Sequence, residues 1–338
     1  MLTIRPARHA DLDALIAMAA NAAAPDLTLP NDAGMIERLV AHSEEALEAE
    51  IEFPGEERYL LVATDNIDVP VGAIMIVAAA GYPGADYSYR NDTIVHASHE
   101  LGVNHRLYAL ALSHDLSGFT RLTPPLVLRE TLREPVEAAL LRAALCFIAD
   151  HPTRFAEDLI APLPGIVGDD GQSPFWQAVG SKFFGVTFKE AERHALGKDR
   201  SFMAELMPHH PLYVPLLPEA AQDALGQTRG EFMPTYSRLI DEGFEAERYV
   251  DVFDGGPTFY AKRNLVRSIR QGLLLPLVID PKVGRSEPEC LLTNRETARF
   301  RAVLAPALRR LDGCLATTAA VARKLELIDH DEARCVFD

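Results

Sequence analysis

The sequence predicts a mixed α/β fold of the α+β kind: a mostly antiparallel sheet flanked by helices, with a further lobe towards the C-terminus. Three observations predict it. Apolar runs too short for helices recur at 59–63, 71–77 and 124–128. Around them lie stretches whose apolar residues return every three or four positions, at 12–19, 36–47 and 136–149. Finally, only a polar segment with Asp65, Asn66 and Asp68 parts 59–63 from 71–77, so the two runs form a hairpin.

Each element has a local reason. Leu2 and Ile4 alternate with Thr3 and Arg5 in a short strand that Pro6 ends. Asp11 is placed to cap the next helix, with Leu12, Leu15, Ile16 and Ala19 on one stripe. A second helix starts near Asp32 and turns Ile36, Leu39, Val40 and Leu47 inward. After the hairpin, the strand at 124–128 leads into a helix from about Val136. The run Asp158-Leu-Ile-Ala-Pro162-Leu-Pro164-Gly165 has a strand's composition, but two prolines remove donors from one edge, which predicts a sheet margin or irregular wall rather than a central strand. Further on, 264–272 looks helical, 273–279 suits a strand, and 302–325 is rich in Ala and Leu.

Composition excludes several classes of function. The chain has 338 residues and a net charge of −16, with a pI near 5.1. Nucleic acid and anionic membrane surfaces both need clustered Lys and Arg, so neither is an expected partner. Cysteines at 146, 290, 314 and 335 show no metal-ligand or disulfide-framework spacing, and no metal site is expected. With no apolar run of spanning length and no leader pattern at Met1, the expectation is a cytoplasmic protein.

More specific strings narrow the reading. Tyr89-Arg90 with Val95-His-Ala-Ser98, Ser113-His-Asp-Leu-Ser-Gly118, Ser173-Pro-Phe-Trp176, Ala204-Glu-Leu-Met-Pro208, Tyr213-Val-Pro-Leu-Leu-Pro218, Gly226-Gln227 and Asp251-Val-Phe-Asp-Gly-Gly-Pro257 occur in this order. Together they resemble the arginine N-succinyltransferase family, on its alpha-chain branch, within the Gcn5-related (GNAT-like) N-acyltransferases. The resemblance implies an acyl-CoA N-acyltransferase fold and transfer of succinyl from succinyl-CoA, as co-substrate, to the α-amino group of arginine or ornithine in arginine catabolism. It also implies an oligomer, formed with itself or with a paralogous chain. Residues 1–200 would be the acyltransferase core, and 201–338 a lobe that completes the sheet and acceptor site or makes a subunit contact.

Such a reaction needs a free amine, donors for the thioester oxyanion, an acid for the leaving thiolate and a site for CoA. On the resemblance, Pro125, Leu126, Val127 and Leu128 hold the pantetheine arm through their backbone, with Arg129 and Arg133 as candidate phosphate contacts. Tyr89, Arg90, Glu205 and Asp254 are candidates for the acceptor. His96 is a candidate base, although a histidine after an apolar run also suits a satisfied core position.

The chain departs from the family's pattern in three places. The pyrophosphate turn should carry glycines at 135 and 137, where this chain has Pro135 and Glu137. Proline deletes a backbone donor, and one lost charge-assisted hydrogen bond costs about 1.5–3 kcal/mol. The expected proton-donor histidine is replaced by Arg229, which can stabilise a thiolate but cannot protonate it. Pro162 and Pro164 occupy two places where the family has charged groups. Two hypotheses follow: an active transferase subunit, or a silent partner that stabilises a paralogous chain with an intact glycine turn.

Overall fold

The structure, a computed structural model, describes residues 1–21, 28–128, 133–195, 202–284 and 286–337. It contains two compact units, each assembled from separated stretches. One comprises 1–78, 122–157 and 262–338; the other comprises 79–121 and 158–261. This grouping puts the chain after 262 with the N-terminal strands and does not follow a division at residue 200.

In the first unit, Leu126–Val127, Pro70–Val77, Arg58–Thr64, Thr3–Pro6, Ala302–Pro306, Glu289–Thr293, Glu332–Phe337 and Leu273–Ile279 lie side by side, all antiparallel. Leu315–Thr317 then joins Leu273–Ile279 in parallel. The C-terminal strands thus continue the sheet that Thr3–Pro6 begins. The expected hairpin is present, and Asp65 closes it by accepting the N–H groups of Ile67 and Val69 at 2.9 and 3.1 Å.

Strand Arg58–Thr64 is buried from Tyr59 onward, because helices cover both of its faces. Leu60 and Val62 meet Leu15, Met18, Ile36 and Leu39 of the helices Leu12–Asn21 and Ala33–Glu48. On the other face the Tyr59 ring lies 5.5 Å from Phe147 of helix Arg133–Asp150. Asp32 caps its helix as the sequence expects, whereas Asp11 closes a 3-10 turn over His9–Asp11 and bonds back to Arg8, the residue before that turn, instead of capping helix Leu12–Asn21. Asp32 accepts the Met35 N–H at 2.7 Å, and Asp11 accepts the Arg8 N–H while gripping Arg5 through two bonds of 2.7 and 2.9 Å.

The second unit places Thr120–Leu122 beside Asp158–Pro162 in parallel. Asp158–Pro162 also pairs with Pro257–Lys262, followed by Glu245–Asp251, Ser88–Ser98, Val103–Ser113 and Leu212–Tyr213. Asp158–Pro162 is therefore an interior strand, contrary to the margin expected from its prolines. The reason is position: Pro162 is the last strand residue and Pro164 lies beyond it, while Leu163 between them still donates to the Pro257 carbonyl at 3.0 Å. Short helices cover this sheet, and Trp176, Phe175, Phe188, Met203 and Met207 fill the space beneath them with Tyr89, Val250 and Phe253.

Candidate active site

In the second unit, three segments converge on one buried acid. The turn after strand Glu245–Asp251 is fastened at its neck, where Asp251 donates its N–H to the Gly256 carbonyl at 2.8 Å and Gly255 donates back to the Asp251 carbonyl at 3.1 Å. Within it, Asp254 Oδ1 accepts the Gly256 N–H at 2.8 Å, and Oδ2 accepts the Gly165 N–H at 2.6 Å. Both glycines are required. A Cβ on Gly256 would stand 2.4 Å from the Leu163 carbonyl oxygen, and one on Gly165 would stand 2.6 Å from that of Asp254. Thr228 ties in the third segment by donating its hydroxyl to the Pro164 carbonyl at 2.7 Å, while Gly226 donates to the Gly255 carbonyl at 2.8 Å.

Burial pushes the Asp254 carboxyl up to about 7, and the nearby Asp251 charge adds to the effect; the two glycine N–H groups and Arg229 oppose it. Arg229 is largely buried, reaches Glu231 at 3.5 Å and lies 5.3 Å from the Phe232 ring centre. This arrangement offers a guanidinium and a carboxyl that burial biases towards its protonated form. A further ion pair lies in the same unit, where Arg121 contacts the buried Asp86. Burial works against that guanidinium charge, but Asp86 outweighs it and holds the pKa above its ordinary value.

The other acceptor candidates are spread out. Tyr89 is fully buried, its hydroxyl donating to Met207 Sδ at 3.4 Å and its ring edge-on to Phe175; burial raises its pKa. Arg90 is bound to Asp92 by two bonds, at 2.9 and 3.1 Å, and to Asp115 at 2.8 Å. Those hydrogen bonds hold its pKa up, Asp92 first. Glu205 is exposed on helix Phe202–Leu206. His96 is exposed six residues beyond Arg90 on the same strand, about 20 Å along it, with its ring 5.9 Å from that of Tyr213.

In the first unit, Val127 pairs with Gly72 and Leu126 with Ala73, and Leu128 donates to the Val71 carbonyl at 2.9 Å. Antiparallel alternation then directs the Val127 N–H and C=O to the edge away from that strand. Gly72 allows the close approach, since a Cβ there would stand 2.9 Å from both the Leu126 oxygen and Val136 Cγ1. Arg129 lies outside the described residues. Arg133 begins the next helix, and its Nε donates to Glu137 at 2.8 Å. Its place in the pyrophosphate turn would have Glu137 aim its charge at the bound phosphates. Instead its side chain is 2 % exposed and folded back against Arg133, while Glu134 and Pro135 face solvent.

Sequence reasoning missed Gly165, Thr228 and Gly256 as parts of the Asp254 cluster. The available signals were Gly165 directly after Pro164 and the Gly-Gly pair after Asp254, both marking close backbone approach.

Fold and site define a mixed α/β protein with a helix-flanked, mostly antiparallel sheet and a buried acid clasped by glycines. Comparison with known proteins makes this specific. The family described as "Arginine N-succinyltransferase beta subunit" matches residues 2–268, and its C-terminal domain matches 274–337. The chain belongs to the arginine N-succinyltransferase family. It is 41% identical over 307 residues to arginine N-succinyltransferase subunit alpha of Pseudomonas aeruginosa, covering 90% of each chain. Over 335 residues it is 35% identical to arginine N-succinyltransferase of Salmonella schwarzengrund, covering 98% of this chain and 96% of the other. Among solved structures, it is similar to arginine/ornithine succinyltransferase subunit AI from Pseudomonas aeruginosa, with a TM-score of 0.87, 35% identity and coverage of 100% and 98%. Among the described residues, no helix is long and apolar enough to cross a membrane.

Proposed function

We propose that this chain is an arginine N-succinyltransferase that acts as one subunit of an oligomer and takes succinyl from succinyl-CoA. The observation that carries the reading is the 41% identity over nearly its whole length to an arginine N-succinyltransferase subunit. Because relatives of several origins bear the enzyme's name, it is favoured over the silent-partner reading. In the reaction the α-amino nitrogen attacks the thioester carbon, a C–N bond forms, the C–S bond breaks, and a proton released from the amine balances the thiolate.

Each residue has a task in this reading. The outward N–H and C=O of Val127 hold the pantetheine arm, as a strand edge holds an added strand. Arg229 stabilises the developing thiolate without protonating it. Asp254 is a positioning residue: its carboxyl accepts the N–H groups of Gly165 and Gly256 and so holds the two segments together. Glu205, being exposed, is available to an arginine guanidinium. The first turn of helix Arg133–Asp150 fits a pyrophosphate less well, because Arg133 is engaged with Glu137.

The test is direct. The purified chain is incubated with succinyl-CoA and arginine, released CoA is followed with a thiol reagent, and N-succinylarginine is identified by mass spectrometry. Product from the chain alone supports the proposal. If there is no product, no calorimetric binding of succinyl-CoA, and activity appears only with a paralogous chain that is active by itself, the proposal fails.

A further inference from the structure

Where strand Thr3–Pro6 ends, the first unit has a cavity of about 480 Å³, a size that takes a small metabolite. Its charged lining has two sources. Arg8 follows that strand, and Arg301 precedes strand Ala302–Pro306, which pairs with it through Thr3 and Ile4. Glu44, Glu45 and Glu48 come from the C-terminal end of helix Ala33–Glu48. Between these charges the buried Ala7 and Leu47 add apolar surface.

The helix acids have no cation of their own. The last turn of the helix holds no basic residue, and among the described residues Glu45 and Glu48 form no ion pair, while Glu44 accepts only the His9 N–H at 3.2 Å. Glu48 stands four residues from Glu44 and three from Glu45, so like charges adjoin on one helix face, at the negative end of the helix dipole. A ligand cation would relieve both repulsions. On the other side Arg301, 12% exposed, donates to Glu326 and to the Phe300 carbonyl, each at 2.9 Å, and keeps further N–H donors. Burial lowers its pKa; Glu326 opposes that effect, and the charges of Arg8 and Arg5 add to it. Arg8 reaches Asp68 only at 3.8 Å. A ligand carboxylate shared by Arg8 and Arg301 would offset their mutual repulsion.

We infer that this cavity binds a free amino acid with a basic side chain, its carboxylate on Arg8 and Arg301 and its cationic groups on Glu44, Glu45 and Glu48. The charge count selects that class. Three carboxylates and two guanidiniums line the cavity, so its complement is a ligand with one anionic and two cationic groups. A simple anion leaves the acids uncovered, and a polyamine leaves the two guanidiniums repelling each other. None of the residues gathered around Asp254 lines this cavity, so the site is additional to the one that would hold the acceptor. The inference does not rest on succinyl transfer.

Hydrogen exchange on the full chain tests it, because peptides spanning 41–48 and 298–301 report on this cavity whatever happens at the acceptor site. Arginine is the probe. It is expected to slow exchange in the last turn of helix Ala33–Glu48, with half the effect at about 1 mM. Agmatine, which lacks the carboxylate, and acetate, which lacks the cations, need concentrations at least about tenfold higher. The double variant R8Q/E48Q removes one charge of each sign at exposed positions, so arginine there too needs at least about tenfold more. E48Q alone serves if the pair fails to fold. No protection of the wild-type chain at about 20 mM arginine, agmatine protecting as well as arginine, or protection unchanged in both variants overturns the proposal. Because the readout does not involve succinyl transfer, failure of that reaction and failure of this inference are told apart.

Discussion

The first turn of helix Arg133–Asp150 and the turn Asp251–Pro257 each bury one acid, and they satisfy it by different means. Glu137, 2 % exposed, is met by a side-chain cation, Arg133, one helical turn earlier. Asp254, 8% exposed, is met by two backbone N–H groups. In the first case the charge is cancelled on the spot and the turn needs no glycine. In the second the charge is buried between peptide dipoles, its pKa climbs to about 7, and glycines at 165 and 256 are needed to bring the donors close. A buried acid can thus be kept quiet by a counter-ion, or have its pKa raised by burial and a neighbouring acid while peptide N–H groups pull it part of the way back.

The comparison breaks most severely at the glycines. Gly256→Ala drives a methyl against the Leu163 carbonyl and the Gly165 nitrogen, 2.4 and 2.5 Å away, both of them backbone. The expected loss is about 4 kcal/mol or more, read from urea unfolding. Gly230→Ala is the control: its Cβ meets nothing within 4 Å, so stability stays within about 0.5 kcal/mol. Next in size is Arg133→Ala, which leaves the Glu137 carboxylate buried without its cation. Because Arg133 is one quarter exposed and water can partly replace it, the expected cost is about 2 kcal/mol. A loss under about 0.5 kcal/mol shows that other groups hold Glu137.

Asp254→Asn sharpens the contrast through pH. A raised carboxyl pKa means that the folded chain keeps its proton where the unfolded chain has lost it. Wild-type stability from this group is therefore fully present below the ordinary carboxylate pKa, falls as pH rises towards about 7, and levels off above. The variant lacks this slope, so its stability relative to wild type rises by about 1 kcal/mol or more between pH 4 and pH 8. A relative fall over that range means that the glycine N–H groups dominate and hold the carboxylate ionised.

Local patterns make much of the fold readable, and long-range ones hide the rest. Asp32, Asp65 and the apolar runs at 59–63 and 71–77 act within a few residues of where they stand, so cap, turn and hairpin are evident in the sequence. Asp158–Pro162 is misplaced when proline is judged by its presence in the run, because its effect depends on whether its missing N–H falls inside the ladder. At the candidate site, Asp254 is visible beside its Gly-Gly pair. Its partner Gly165 lies 89 residues away, and no spacing rule joins the two. The position of Glu137 at a helix start points its charge outward, but its neighbour four residues earlier turns that charge inward. Arg90 and His96 stand out in one motif, yet an eleven-residue strand, long enough to run from core to solvent, separates their surroundings.

The smallest expected effect concerns the counter-ion itself. In Glu137→Gln the amide oxygen still accepts from Arg133 Nε, so packing and most of the hydrogen bonding survive, and stability changes by about 1 kcal/mol or less. The carboxylate charge is gone, however, and the head of the helix becomes less negative by one unit. If succinyl-CoA places a phosphate there, its affinity rises about three- to tenfold, and the gain shrinks as salt is added. Isothermal titration at two ionic strengths reads both. If Glu137→Gln leaves affinity unchanged while Arg133→Ala also leaves it unchanged, the first turn plays no part in binding, and the two buried acids differ in duty as well as in how they are satisfied. A gain with Glu137→Gln and a loss with Arg133→Ala instead makes the ion pair a brake on co-substrate binding, with Glu137 competing for the cation that the pyrophosphate would use.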